Sequence, residues 1–198
     1  MNPRRALLWG LLVAALVVVA GAAVWQILLR PVPPPVLGEV PEFSLTNRDG
    51  RTVRKGDLAG APWVADFIFT RCAASCPMMS MRMERLNRDL PADLPVRLVS
   101  FTVDPDYDTP AVLARYAASF KAPGRWLFLT GPRDAMHRLS KEGFKLAVDA
   151  GGGPQDEPIL HSTRFVLVDG EGKIRGYYEA FDEESMKKLR QDLEALRR

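Results

Sequence analysis

Trp63-Val64-Ala65-Asp66-Phe67-Ile68-Phe69-Thr70-Arg71-Cys72-Ala73-Ala74-Ser75-Cys76-Pro77 is the stretch on which the reading of this chain turns. Its first half, Trp63 to Thr70, alternates loosely and is rich in Val, Phe and Ile, the composition of a buried strand. Its second half carries both cysteines of the chain, and the run from Pro77 to Leu90 then has helical character with Cys76 near its start. A strand that exits through a short loop into a helix is the unit of an open α/β sheet, where sites gather at strand ends. Cys72 and Cys76 are spaced i and i+4. If the segment coils, both sulfurs share one face, close enough to bind one metal ion or to close a disulfide.

Further elements extend outward from this unit. Upstream, Phe43-Ser44-Leu45-Thr46 and Thr52-Val53 flank Asn47-Arg48-Asp49-Gly50, which predicts a hairpin. Downstream, Val96 to Val103 predicts a second core strand. Asp108-Thr109-Pro110 then opens a helix to about Phe120, with Thr109 or Asp108 as N-cap and Pro110 at the first helical position. Trp126 to Leu129 predicts a third strand and Arg133 to Phe144 a helix. After a Gly/Pro/acid-rich loop from Asp149 to Pro158, one strand is expected from Ile159 to Val168. It is joined to Ile174–Tyr178 by Asp169-Gly170-Glu171-Gly172, a hairpin signal. An amphipathic helix from Glu183 to Arg198 closes the chain. The order predicts an α/β sandwich with a mixed sheet.

The 198 residues suit one domain plus an appendage, and the appendage is at the front. Residues 1–5 read as a cytoplasmic N-terminus, 6–29 as a transmembrane anchor, 30–41 as a Pro-rich linker and 42–198 as the folded domain. Ala6 to Leu29 carries no charge, long enough as a helix for roughly 30 Å of hydrocarbon, with Trp9 and Trp25 near its ends. The alternative is a cleaved signal peptide with Ala20-Gly21-Ala22 as its site, against which the apolar run continues through Leu29. Arg4 and Arg5 before the run favour a cytoplasmic N-terminus, so the domain would sit on the exported side of the inner membrane. Setting aside Arg4, Arg5 and Arg30 makes the remaining basic residues equal in number to the 24 acidic ones. A neutral domain gives no support to nucleic-acid binding.

In an oxidising compartment a cysteine pair would ordinarily be a structural disulfide. A bridge closing so small a loop adds little stability, so the pair points to chemistry. Two thiolates and one imidazole suit copper, Cu(I) in particular, whereas a structural zinc site would want a second half-site that is absent from the sequence. Of the two histidines, His137 lies beside apolar positions on a predicted helix and reads as a boundary residue, whereas His161 stands at a strand entry after the glycine loop and is the candidate nitrogen ligand. Met78, Met79, Met81 and Met83 suggest a methionine-rich copper face, but Cys76, Met79 and Met83 fall at i, i+3 and i+7, which is also a core-facing stripe, and core packing is the expectation. Thr70 and Asp104 sit at strand exits, where they could hold a ligand or its backbone; Asp104 to Asp108 reads equally as a turn plus helix cap.

With these pieces together the sequence resembles the Sco/SenC family of membrane-tethered, thioredoxin-like copper chaperones of cytochrome c oxidase assembly. The resemblance is carried by Phe67-Ile68-Phe69-Thr70 leading into Cys72-x-x-x-Cys76-Pro77, by Thr102-Val103-Asp104-Pro105 with Asp108-Thr109-Pro110, and by His161-Ser162 with a strand ending in Asp169-x-x-Gly172. It implies a thioredoxin-like fold with an N-terminal hairpin extension, copper as Cu(I), Cu(II) or both, and Cys72, Cys76 and His161 as its ligands. It also implies delivery to the copper-bearing oxidase subunit, with other copper chaperones or thiol reductants as further partners. Ala73 departs from the pattern, since the family often has proline after the first cysteine.

Two other functions compete with copper delivery. A thiol-disulfide reductase would keep the acceptor's cysteines reduced, using Cys72 and Cys76 as its redox pair. A peroxiredoxin-like peroxidase would need threonine three and proline seven residues before its reactive cysteine, where this chain has Phe69 and Ala65.

Overall fold

The computed structural model describes residues 3–28, 32–73, 75–91, 94–146, 148–150 and 159–196, giving backbone alone for 148–150, 159–161 and part of the first helix. The chain divides into two compact units between Val32 and Pro33. The first is helix α1 (Pro3–Leu28), whose described residues, among them Trp9, Leu16 and Val18, expose their apolar side chains. Among the residues so described, no helix is long and apolar enough to cross a membrane.

The second unit is built on an eight-stranded mixed sheet in the order β1-β10-β9-β4-β5-β6-β2-β3. Its centre is three parallel strands, β4 (Trp63–Ile68), β5 (Arg97–Thr102) and β6 (Trp126–Thr130). Helix α2 (Ser75–Asp89) connects the first two and α3 (Pro110–Ser119) the second pair. All six residues of β4 are buried, as its nearly continuous apolar run requires of a central strand. β2 (Ser44–Asn47) and β3 (Thr52–Arg54) form the expected hairpin. The Asn47 side chain accepts from the backbone N–H of Asp49 and Arg51, and Gly50 supplies a left-handed φ of 76°. β9 (Arg164–Val168) and β10 (Lys173–Glu179) pair antiparallel on the other flank. Helix α5 (Glu183–Ala195) is tied to β10 by a 2.7 Å hydrogen bond from the Tyr178 hydroxyl to Asp192.

Three local expectations change. Ile159–Val168 is two strands. β8 (Ile159–His161) pairs antiparallel with β7 (Val148–Ala150) in a separate ribbon, His161 opposite Val148, and only β9 enters the main sheet. At the break the Ser162 hydroxyl accepts from the Arg164 N–H, a local turn that competes with the ladder. Residues 149 and 150 of the expected loop are in β7, and 151–158 lie outside the described residues.

The helix expected from Arg133 to Phe144 is α-helical only in α4 (Arg133–Arg138), then makes a π turn over Leu139–Gly143, closed by Phe144 N–H to Leu139 O at 2.8 Å. Tertiary packing accounts for it: Phe144 is fully buried, and Gly143 lies so close to Pro41 that a Cβ would come within 2.8 Å of its ring. The proline-rich segment is the third change. From Pro34 onward it runs along the sheet edge, Arg175 donating to Pro34 O, Leu37 N–H to Ile174 O, and Val40 N–H to Gly172 O around the short β1 (Gly38–Glu39). These bonds satisfy backbone groups that would leave β10 an open edge.

Candidate metal centre

The buried strand β4 delivers the chain to a loop, described from Phe69 to Ala73, before α2 begins at Ser75. Phe69 is fully buried and turns back, its carbonyl accepting from the Cys72 N–H and its own N–H reaching the Cys76 sulfur at 3.4 Å. The Cys76 N–H, in the first turn of α2, points at the Cys72 sulfur, also at 3.4 Å. The Ser75 hydroxyl stands 3.6 Å from Cys72 Sγ. Both sulfurs thus meet at the N-terminal end of one helix, where unsatisfied N–H groups favour negative charge. The two cysteines are thiols, with no disulfide between them.

Their environments differ. Cys76 is 0% exposed and Cys72 5%. Burial pushes the Cys76 thiol far above its ordinary range, aided by its hydrogen bond to Cys72 and by the charge of buried Asp66, and opposed by the Phe69 N–H. Met79 and Met83 are fully buried beside it, as the helical stripe predicts, whereas Met78 and Met81 face outward.

A turn after β5 braces the loop. Asp108, fully buried, accepts the Thr70 N–H at 3.1 Å, the Thr70 hydroxyl at 2.5 Å and the Thr102 hydroxyl at 2.5 Å. Burial raises its carboxyl pKa, and the two threonines pull it back down. Arg71 donates from Nε and Nη2 to Asp104 at 3.0 and 2.5 Å and lies over the Tyr107 ring, 4.5 Å from its centroid.

Of the two supporting residues expected from sequence, Thr70 donates to Asp108 and Asp104 accepts from Arg71. Sequence reasoning missed Asp108, Thr102, Arg71 and Tyr107. The available signal was in the helix start: Thr109 caps α3 by accepting the Val112 N–H, which releases Asp108 for another partner. His137 is half-buried on α4. His161 is placed by its backbone at the end of β8, and its side chain lies outside the description. Among the described residues, no group of three or more His, Cys, Asp and Glu side chains is arranged to hold a metal ion. The described centre is the thiol pair and its braces.

The sequence profile of the SCO1/SenC family matches residues 36–197. The SCO1 protein homolog of Bacillus subtilis (strain 168) is 35% identical over 151 residues, covering 75% of this chain and 77% of that protein. BsSco, described as carrying a disulfide switch and as a member of the Sco family of cytochrome c oxidase assembly proteins, superposes with a TM-score of 0.74 at 32% identity. It covers 84% of this chain and 97% of its own. The copper-bound structure of Bradyrhizobium japonicum ScoI shares the fold, with a TM-score of 0.66 at 23% identity over 77% of this chain and 98% of that one. The strand-loop-helix unit with its two thiols, the braced turn and the profile match over most of the second unit lead to one statement: this chain belongs to the SCO1/SenC family.

Proposed function

We propose that the protein is a membrane-anchored copper metallochaperone. In this reading the thiolates of Cys72 and Cys76 and the imidazole of His161 hold copper, which passes to the binuclear copper centre of a cytochrome c oxidase subunit. The observation that carries the reading is the convergence of two unbridged thiols on one helix N-terminus, each sulfur within 3.4 Å of a backbone N–H. The family's role in oxidase assembly and the copper held by Bradyrhizobium japonicum ScoI support it. Two soft thiolates and an imidazole match Cu(I). Copper is cargo here. The acceptor's thiolates replace the donor's, and because bound thiols must lose their protons, loading releases protons and weakens as pH falls.

The anchor belongs to the same proposal. α1 has 26 residues and exposed apolar side chains. The apolar length comes from the uncharged run Ala6–Leu29 of the sequence, some of whose side chains lie outside the description, and 26 helical residues at 1.5 Å each rise about 39 Å. Arg4 and Arg5 at its start favour an N-terminus in the cytoplasm and the domain on the exported side of the inner membrane.

One observation favours thiol-disulfide reduction as a second reading. Cys72 keeps a 5% exposure that Cys76 lacks and accepts the Cys76 N–H, so Cys72 would attack an acceptor disulfide and Cys76 would resolve the mixed disulfide.

Anaerobic copper titration of the reduced protein separates the two. Copper delivery expects one tight copper per chain, lost in Cys72→Ser, Cys76→Ser and His161→Ala. Unchanged affinity in His161→Ala would remove the imidazole from the site, and disulfide exchange retained in that variant would favour the reductase.

A further inference from the structure

The outward face of α2 departs from what a surface helix should carry. Its core-facing residues are Cys76, Met79, Ser80, Met83 and Leu86. Met78, Met81, Arg85 and Arg88 are exposed and spaced i, i+3, i+7 and i+10, a single outward stripe that ought to be polar throughout. Its half nearest the cysteine loop consists of two thioethers, 50% and 55% exposed. Among the described residues, α3, α4 and α5 expose no large apolar side chain.

Half-exposed, neither side chain belongs to the buried core, so core packing does not call for methionine at either position. What methionine offers over leucine at a surface is a soft sulfur donor. Side chains three apart on a helix are neighbours, and helical side chains lean toward the N-terminus, so Met78 covers the turn that begins at Ser75 beside the Cys72 loop. The cations further along the stripe are drawn to carboxylates, Arg88 to Glu84 at 3.3 Å and Arg85 to Asp89 at 3.9 Å, which limits their repulsion of a bound cation.

We infer that Met78 and Met81 form an auxiliary surface site for Cu(I). Thioethers are neutral and carry no proton to lose, so this site binds Cu(I) whether the cysteines are thiols or a disulfide. Its role as an intake point rests on the copper reading above; the binding itself does not. Movement inward is ligand exchange: a copper–thioether bond breaks as a copper–thiolate bond forms, the thiol proton passes to water, and copper remains Cu(I) throughout.

The test uses full-length reduced protein in detergent, titrated anaerobically with Cu(I) against a chromophoric chelator. In a Cys72→Ser/Cys76→Ser/His161→Ala background, one weak Cu(I) per chain should persist and weaken at least tenfold when Met78→Leu and Met81→Leu are added. With methionine methyl groups labelled by ¹³C, the Met78 and Met81 resonances should shift on Cu(I) addition while those of Met79 and Met83 stay put. No residual Cu(I) in the triple variant, residual binding unchanged by the leucines, or shifts confined to Met79 and Met83 would each overturn the site. Loss of the tight copper in the wild-type titration would instead count against the chaperone reading and leave the surface site standing.

Discussion

Asp108 takes both the backbone N–H and the hydroxyl of Thr70, at 3.1 and 2.5 Å, across 38 residues of chain. One buried carboxylate thereby joins the turn after β5 to the residue two before Cys72, and Thr102 donates to it as well at 2.5 Å. The loop that carries the first thiol is held from the neighbouring strand's exit as well as by its own hydrogen bonds among Phe69, Cys72 and Cys76.

Asp108→Ala should therefore cost stability. It strands the Thr70 N–H and two hydroxyls where water is scarce, and losses of about 2–4 kcal/mol accompany the breaking of such a network. Urea unfolding should show a lower midpoint at unchanged slope. A loss below about 0.5 kcal/mol, the range of an ordinary surface substitution, would mean that the carboxylate does not brace the loop.

The same carboxylate predicts an unusual pH dependence. Burial raises the Asp108 pKa in the fold, so between the unfolded value of about 3.9 and the raised one the native state binds more protons. Its contribution is complete below the unfolded pKa and is lost as pH rises through the folded one. Measured against Asp108→Asn, wild type should gain relative stability as pH falls from neutral and level off near the unfolded value. A flat or opposite difference would show that the threonine hydrogen bonds outweigh burial.

Arg71→Lys separates loop placement from bulk stability. The lysine keeps the charge but loses the two-bond fork on Asp104 and the stack on Tyr107. The Arg71 side chain is 52% exposed, so unfolding stability should fall by less than about 1 kcal/mol. Copper affinity should fall further, by about tenfold, as when residues supporting metal ligands are removed. If affinity changes no more than stability does, Arg71 is a surface ion pair and nothing else.

The features legible in the sequence were those set by near neighbours. The central strands follow from their apolar runs, Thr109 and Pro110 from helix-start chemistry, and the hairpin at Asn47–Gly50 from its turn residues. The convergence of the two cysteines at the strand exit was legible too, as was the Cys76/Met79/Met83 stripe. Distant contacts were not. Asp108 looks like a cap until Thr109 takes that place, and its true partner is Thr70. The π turn at Leu139–Gly143 answers to Pro41, far upstream. The break at Ser162–Thr163 hides inside a run whose composition is strand-like on both sides.

Gly176→Ala tests how α5 is secured to the sheet. Gly176 and Tyr178 share a face of β10, and a Cβ at Gly176 would fall 2.2 Å from the Tyr178 hydroxyl and 2.5 Å from its ring. The ring is 3% exposed and donates to Asp192 at 2.7 Å, so it cannot move aside without breaking that bond. Overpacking of this kind costs about 1–3 kcal/mol, and the lost hydrogen bond to a carboxylate adds about 1.5–3. Tyr178→Phe removes the hydroxyl in advance. In that background Gly176→Ala should cost markedly less, and the double-mutant cycle should show coupling well above the 0.5 kcal/mol of independent sites. Additive losses would mean that the alanine is absorbed by backbone shift at the β10 bulge between Ile174 and Gly176 rather than by the tyrosine.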